Sequence, residues 1–208
     1  MLMMAKMGGM LGGGAGSSYS QAFDQIPNKT LVLRADLSTA ANDATISTTP
    51  WDNEAGADVT GSGIWKTNSL NGYRGVQKSG STALGDSSML LSTLMPTDRS
   101  FTFWAVERRS GTQGSNVDGQ RYLNSQIIGD TGGYFAVCFN TDSREFMLYG
   151  YDGAANYIPS GFSFSDNTPY VFACRAAADG SVRFNFNGAI STGSGFVNPI
   201  FKTGSIRI

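Results

Sequence analysis

The chain of 208 residues contains no histidine. That excludes Ser-His-Asp and Cys-His nucleophilic catalysis, and zinc centres built on imidazole. Glutamate is confined to Glu54, Glu107 and Glu145, which are far apart in sequence. Charged residues are only 15% of the chain and the formal net charge is −1, with no basic run. Nucleic acid is therefore not indicated as a main partner. Cysteine is limited to Cys138 and Cys174, each inside an apolar, strand-like run (YFAVCF and VFACR). Two such residues read as buried, reduced thiols rather than as a disulfide framework. No convincing amphipathic helix of ten or more residues occurs, and no stretch has the length and apolarity of a membrane-spanning helix.

What the chain does have is glycine, 27 of 208 residues, and 12% aromatics. This is the composition of a loop-rich β protein, long enough for one domain with a tail. Residues 1–18, MLMMAKMGGMLGGGAGSS, stand apart. They hold five of the eight methionines and are interrupted by glycines, unlike a secretory signal. Their Gly-Gly-Gly-Ala-Gly run lacks the Gly-Lys-Ser/Thr of a phosphate loop. Two readings stay open: flexible disorder, or a peptide that orders on docking, with methionines as adaptable plugs. In the second reading Met3, Met4, Met7, Met10 and Leu11 form the anchor. Ser17 to Asn28 reads as a linker, so residues 1–28 are expected to be an arm and 29–208 the folded domain.

From Thr30 onward the chain reads as short strands separated by turn signals. Thr30–Asp36 is the first. Residues 38–68 are polar, with Trp51 and Trp65 expected as lids over the edge of the core; a loop this long is functional or holds short strands. Tyr73–Gln77 follows the Asn71-Gly72 turn. Met89–Leu91 packs near Phe101–Arg109, whose continuous apolar run predicts a central strand buried on both faces. Ile127–Asp130, Tyr134–Asn140 and Glu145–Tyr151 are further strands.

The clearest pattern is Thr168–Gly188, TPYVFACRAAADGSVRFNFNG. Val171–Cys174 is a mostly buried strand, and Ala178-Asp179-Gly180-Ser181 is a turn with Asp-Gly at the left-handed position. Val182, Phe184 and Phe186 then alternate with Arg183, Asn185 and Asn187, with period two. Asn187-Gly188 is another turn, and Gly204–Ile208 begins a last strand. This spacing predicts an antiparallel, all-β sandwich.

The succession LVLRADLS (31–38), LNGYRG (70–75), SFTFWAVERR (100–109), the strands at 132–140 and 145–153, and the Thr168–Gly188 hairpin resembles the concanavalin A-like lectin/glucanase sandwich. The resemblance is to its laminin-G-like form, common in virion proteins of tailed bacteriophages, and covers roughly residues 29–208. It implies a virion location and two departures. Relatives continue past the strand at 205–208, so its sheet is expected to be left with an edge open or completed by a partner. Glucanase members carry two Glu close together on one strand. Here Glu107 and Glu145 are each alone, so glycoside hydrolysis is rejected.

Sugar recognition needs aromatic faces and planar polar groups. YGYDGAANY supplies Tyr149, Tyr151, Asp152, Asn156 and Tyr157; the plainer reading is a Tyr-rich strand edge with a polar turn. Asp142 and Asp152 lack the dense spacing of a calcium site, and neither metal nor cofactor is expected. Expected partners are other virion proteins, reached through residues 1–18, further copies of the chain, and a host glycan. The expectation is a non-enzymatic virion protein (tail tip, fibre or capsid decoration). The alternative is a free carbohydrate-binding module with a disordered tail.

Overall fold

The computed structural model describes residues 2–4, 31–33, 35, 38–54, 56–70, 73–77, 86–90, 100–108, 121–124, 134–140, 144–151, 154–196 and 205–207. These residues are nearly all strand, with no α-helix among them. The strands are β1 (Leu2–Met4), β2 (Leu31–Leu33), β3 (Val59–Thr60), β4 (Ile64–Leu70), β5 (Tyr73–Gln77), β6 (Asp86–Leu90), β7 (Phe101–Arg108), β8 (Arg121–Asn124), β9 (Tyr134–Asn140), β10 (Glu145–Tyr151), β11 (Ala155–Ser163), β12 (Pro169–Ala176), β13 (Val182–Phe186), β14 (Ala189–Gly193) and β15 (Ser205–Arg207). They form a six-stranded sheet, β14-β13-β12-β7-β1-β2, a seven-stranded sheet, β11-β10-β9-β8-β15-β6-β3, and a two-stranded ribbon, β4-β5. Pairing is antiparallel throughout except at β1, which runs parallel to both β2 and β7.

The Thr168–Gly188 hairpin is as its alternation predicts. Tyr170, Phe172, Cys174 and Ala176 of β12 and Val182 and Phe184 of β13 are buried, while Arg175 and Arg183 are exposed. Gly180 takes the left-handed conformation at φ +80°. Asp179 Oδ1 accepts the Ser181 amide at 2.9 Å, and Ala177 N–H donates to Ser181 O at 2.9 Å. Asn187 and Gly188, at φ 49° and 91°, form the two-residue connection to β14. Both central residues at positive φ is the type I′ geometry, whose twist matches that of the flanking strands. Asn187 also exchanges two bonds of 2.8 Å with Val171, its side-chain oxygen accepting the Val171 amide.

The two larger sheets meet through aromatic rings. Phe146 of β10 lies 4.5 Å from Phe172 and 5.5 Å from Phe184, both edge-on. Edge-to-face rings at this spacing gain from quadrupole alignment beyond their buried area. Cys174 is a free thiol in the same core. Trp51 and Trp65 are also in it, their rings 6.0 Å apart, and Trp65 Nε1 donates to Thr49 O at 2.8 Å. The long segment 38–68 therefore supplies core side chains, and it holds β3 and part of β4.

One expectation is corrected, the burial of the Phe101–Arg109 strand on both faces. β7 is central, between β12 and β1; among its described side chains Phe101, Phe103 and Ala105 are buried, whereas Thr102 and Val106 on its other face are half-buried. β7 has one antiparallel neighbour, β12, and one parallel neighbour, β1, in a mainly antiparallel sheet that can leave one face half-exposed, so the apolar run overstated its burial. β15 lies between β8 and β6, so it is not an edge. Residues 155–163, for which the sequence pattern predicts no strand, form the nine-residue strand β11. Leu2–Met4, within the expected arm, pairs as β1 between β2 and β7 of the six-stranded sheet. The strand expected at Ile127–Asp130 lies outside the described residues.

Gly180 and Gly188 give a paired test. A Cβ at Gly180 would sit 2.9 Å from Phe196 O, whereas at Gly188 it would meet nothing within 4 Å. Gly188→Ala is expected to cost only the left-handed strain, about 1 kcal/mol. Gly180→Ala adds a backbone clash and is expected to cost roughly 2–3 kcal/mol. Thermal unfolding of the two variants checks the order; equal losses would refute the clash. Asp179, at the same turn, has its carboxyl held below the ordinary range by its Ser181 hydrogen bonds, with a lesser pull from Arg175. A depressed native value stabilises above the unfolded-state titration and is lost as pH falls through the native one. The melting difference between native protein and Asp179→Ala should be flat from pH 7 to about pH 5 and close below about pH 4.

Candidate functional site

The strongest candidate surface is one face of β9–β11. Antiparallel register sets Tyr149 opposite Ala136 on one side and Tyr157 on the other, and Tyr151 opposite Tyr134 and Ala155. Cross-strand partners share a face, as do residues two apart on a strand. Four tyrosine positions, 134, 149, 151 and 157, therefore lie together at one end of the seven-stranded sheet. Tyr149 and Tyr157 are in direct contact, with ring centroids 4.6 Å apart and tilted by 32°.

The two rings differ in role. Tyr149 is 5% exposed and Tyr157 is 42% exposed. Tyr157 thus presents its ring to solvent, and Tyr149 backs it. Asn156 is half-buried, and its Nδ2 donates to Gly195 O at 2.9 Å, tying β11 to the chain after β14. The Nδ2 of Asn156 is thus a structural tie, and Tyr157 is the exposed ring among the candidates whose side chains are described. Tyr151 ends β10, and Asp152 lies outside the described residues. Of the anchor candidates, Met3 and Met4 are in β1, and Met7, Met10 and Leu11 lie outside the described residues.

Tyr134 is the position that reading the sequence missed. The signal was present: strands 134–140 and 145–151 are joined by a short turn, and a hairpin with that loop sets 134 opposite 151. β11 was missed because Pro159 and Gly161 argue against a strand. β11 is the edge of its sheet, where a residue without an N–H is tolerated. Gly161 occupies a bulge at φ +76°, opposite the Glu145–Met147 register shift, and its amide donates to Glu145 Oε1 at 2.5 Å. Glu145 thus secures an irregular backbone group.

Among the described residues no group of three or more His, Cys, Asp or Glu could hold a metal ion, and no helix is long and apolar enough to cross a membrane. Asp142 and Asp152 are outside that set. Comparison with protein-family models, with curated proteins and with solved structures found no match to this chain.

If Tyr157 rests on Tyr149, the pair is coupled. Tyr149→Ala should cost more stability than Tyr157→Ala, by about 2 kcal/mol or more, because only the former vacates a buried volume. Denaturant unfolding of both variants reads this, and equal costs would mean that Tyr149 is not the buried support.

Proposed function

We propose that the chain is a non-enzymatic structural protein of a tailed-phage virion. In this reading the two sheets are the layers of a concanavalin A-like sandwich, residues 1–18 attach it to other virion proteins, and the β9–β11 face contacts host glycans. The observation that supports it is the all-β build: two large, mainly antiparallel sheets in contact through Phe146, Phe172 and Phe184. The engagement of Glu145 by the Gly161 amide supports a structural role for that carboxylate. Sandwiches of this kind serve many roles, so the role rests on sites rather than on architecture.

A second reading is a free carbohydrate-binding module. The exposed Tyr157 ring, held on Tyr149, favours it, since a rigid aromatic face stacks on sugars at little entropic cost.

Because Leu2–Met4 is paired into the sheet, deleting residues 1–18 would mix loss of attachment with loss of a strand. Met7→Asp combined with Met10→Asp spares β1. This variant should keep the native melting midpoint and fail to enter particles when it replaces the native chain. Particles that take it up at native levels would refute attachment through residues 1–18. On a glycan array, Tyr157→Ala should weaken any glycan recognised by about ten-fold. If native protein binds no glycan, the module reading fails, the glycan contact of the β9–β11 face fails with it, and the attachment of the virion protein through residues 1–18 stands on its own test.

A further inference from the structure

The outer face of the six-stranded sheet carries a row of four polar side chains that the reading above does not use. Register pairs Thr102 of β7 with Arg175 of β12, Arg175 with Arg183 of β13, and Arg183 with Thr192 of β14. Arg175 and Arg183 alternate with Cys174, Ala176, Val182 and Phe184, all buried, so both arginines lie on the face away from the core and both are exposed. Thr192 is exposed and Thr102 half-buried. One line across four adjacent strands therefore reads Thr–Arg–Arg–Thr.

Two like charges directly opposite on neighbouring strands have Cβ atoms about 4.5–5.5 Å apart and destabilise a sheet. Nothing described offsets this pair. The ion pairs among the described residues are Lys66–Asp43 and Arg144–Asp166, both elsewhere. Asp179, at the tip of the same hairpin, feels the Arg175 charge, but its carboxylate accepts the Ser181 amide and forms no ion pair with either arginine. A local arrangement that breaks a pairing rule, on a strand pair otherwise well matched, marks a place where a ligand supplies the missing compensation.

We propose that Arg175 and Arg183, flanked by the Thr102 and Thr192 hydroxyls, form a binding site for an oxyanion of the phosphate or sulfate type. Each guanidinium offers a planar fork of donors matched to such oxygens. An anion seated between the two turns a like-charge repulsion into two charge-assisted contacts. The hydroxyls at either end of the row extend its donors over three strand spacings, about 14 Å. That length suits an oxyanion carried on an extended molecule as well as a free ion. The site is on the opposite sheet from the tyrosine face and does not depend on the virion reading.

The test uses the full chain and inorganic phosphate, with ionic strength held constant by sodium chloride. The Nε–H resonances of Arg175 and Arg183 should shift together and saturate in the millimolar range. In Arg183→Gln the response of Arg175 should weaken by about ten-fold or more. In chloride alone, Arg183→Gln should leave the melting midpoint unchanged or raise it, since it removes the repulsion. Shifts that grow linearly without saturation, or an Arg175 response unaltered in Arg183→Gln, would overturn the site. So would a fall in the variant's melting midpoint in chloride, which would make Arg183 a structural partner. Dextran sulfate compared with plain dextran then separates the sources. Binding tighter than that of phosphate assigns the site to a polymer-borne oxyanion, and binding no tighter assigns it to the free ion.

Discussion

Phe172 is the contact on which the two large sheets depend. Its ring lies 5.5 Å from Phe103 and 5.9 Å from Tyr170 within its own sheet, and 4.5 Å from Phe146 in the other. A fully buried phenylalanine that bridges two layers contributes through area removed from water and through ring geometry. Truncation at such a site typically costs about 3–5 kcal/mol. The register of β7, β12 and β13 follows from it. A slip of one residue would turn Phe103, Phe172 and Phe184 outward and bring Thr102, Arg175 and Arg183 into the core.

The sheet margins are the second constraint, because an open edge invites pairing with other chains. On one side the edges β11 and β14 meet. Ser191 Oγ donates to Ser160 O at 2.5 Å, and a Cβ on Gly193 would lie 2.6 Å from Ile158 Cγ2, so the approach there requires glycine. On the other side, the segment before β3 reaches both sheets. Asn53 bridges to Leu33 of β2, and Trp51 bridges to Val59 of β3. Trp51 and Trp65 then plug the core beside these bridges. The β11 edge also hosts the Gly161 bulge and Pro159, a residue whose missing N–H a central strand would not accept.

The two candidate surfaces are faces of sheets. The tyrosine face of β9–β11 and the arginine row of β7–β14 are on different sheets. Each depends on register to bring together residues distant in sequence: Tyr134 with Tyr151, and Thr102 with Arg175. Chemistry of this kind leaves no local motif. Individual strands were legible, but which residues stand side by side was not. Tyr149 illustrates the limit. Its alternation puts it on one face of β10 with Tyr151, yet its burial beneath Tyr157 is set by β11, a strand that its own proline and glycine conceal.

By itself the sequence determined the all-β class, the Thr168–Gly188 hairpin with its left-handed Gly180, and the buried alternation of Val182 and Phe184. It did so because these follow from short-range sterics and from a period of two. The tertiary structure alone decided the parallel insertion of Leu2–Met4 between β2 and β7, the interior place of β15, and the opposition of Arg175 to Arg183. Those outcomes depend on pairing between segments far apart along the chain. No local propensity encodes them; they arise when the aromatic core fixes the register of every strand that lies over it.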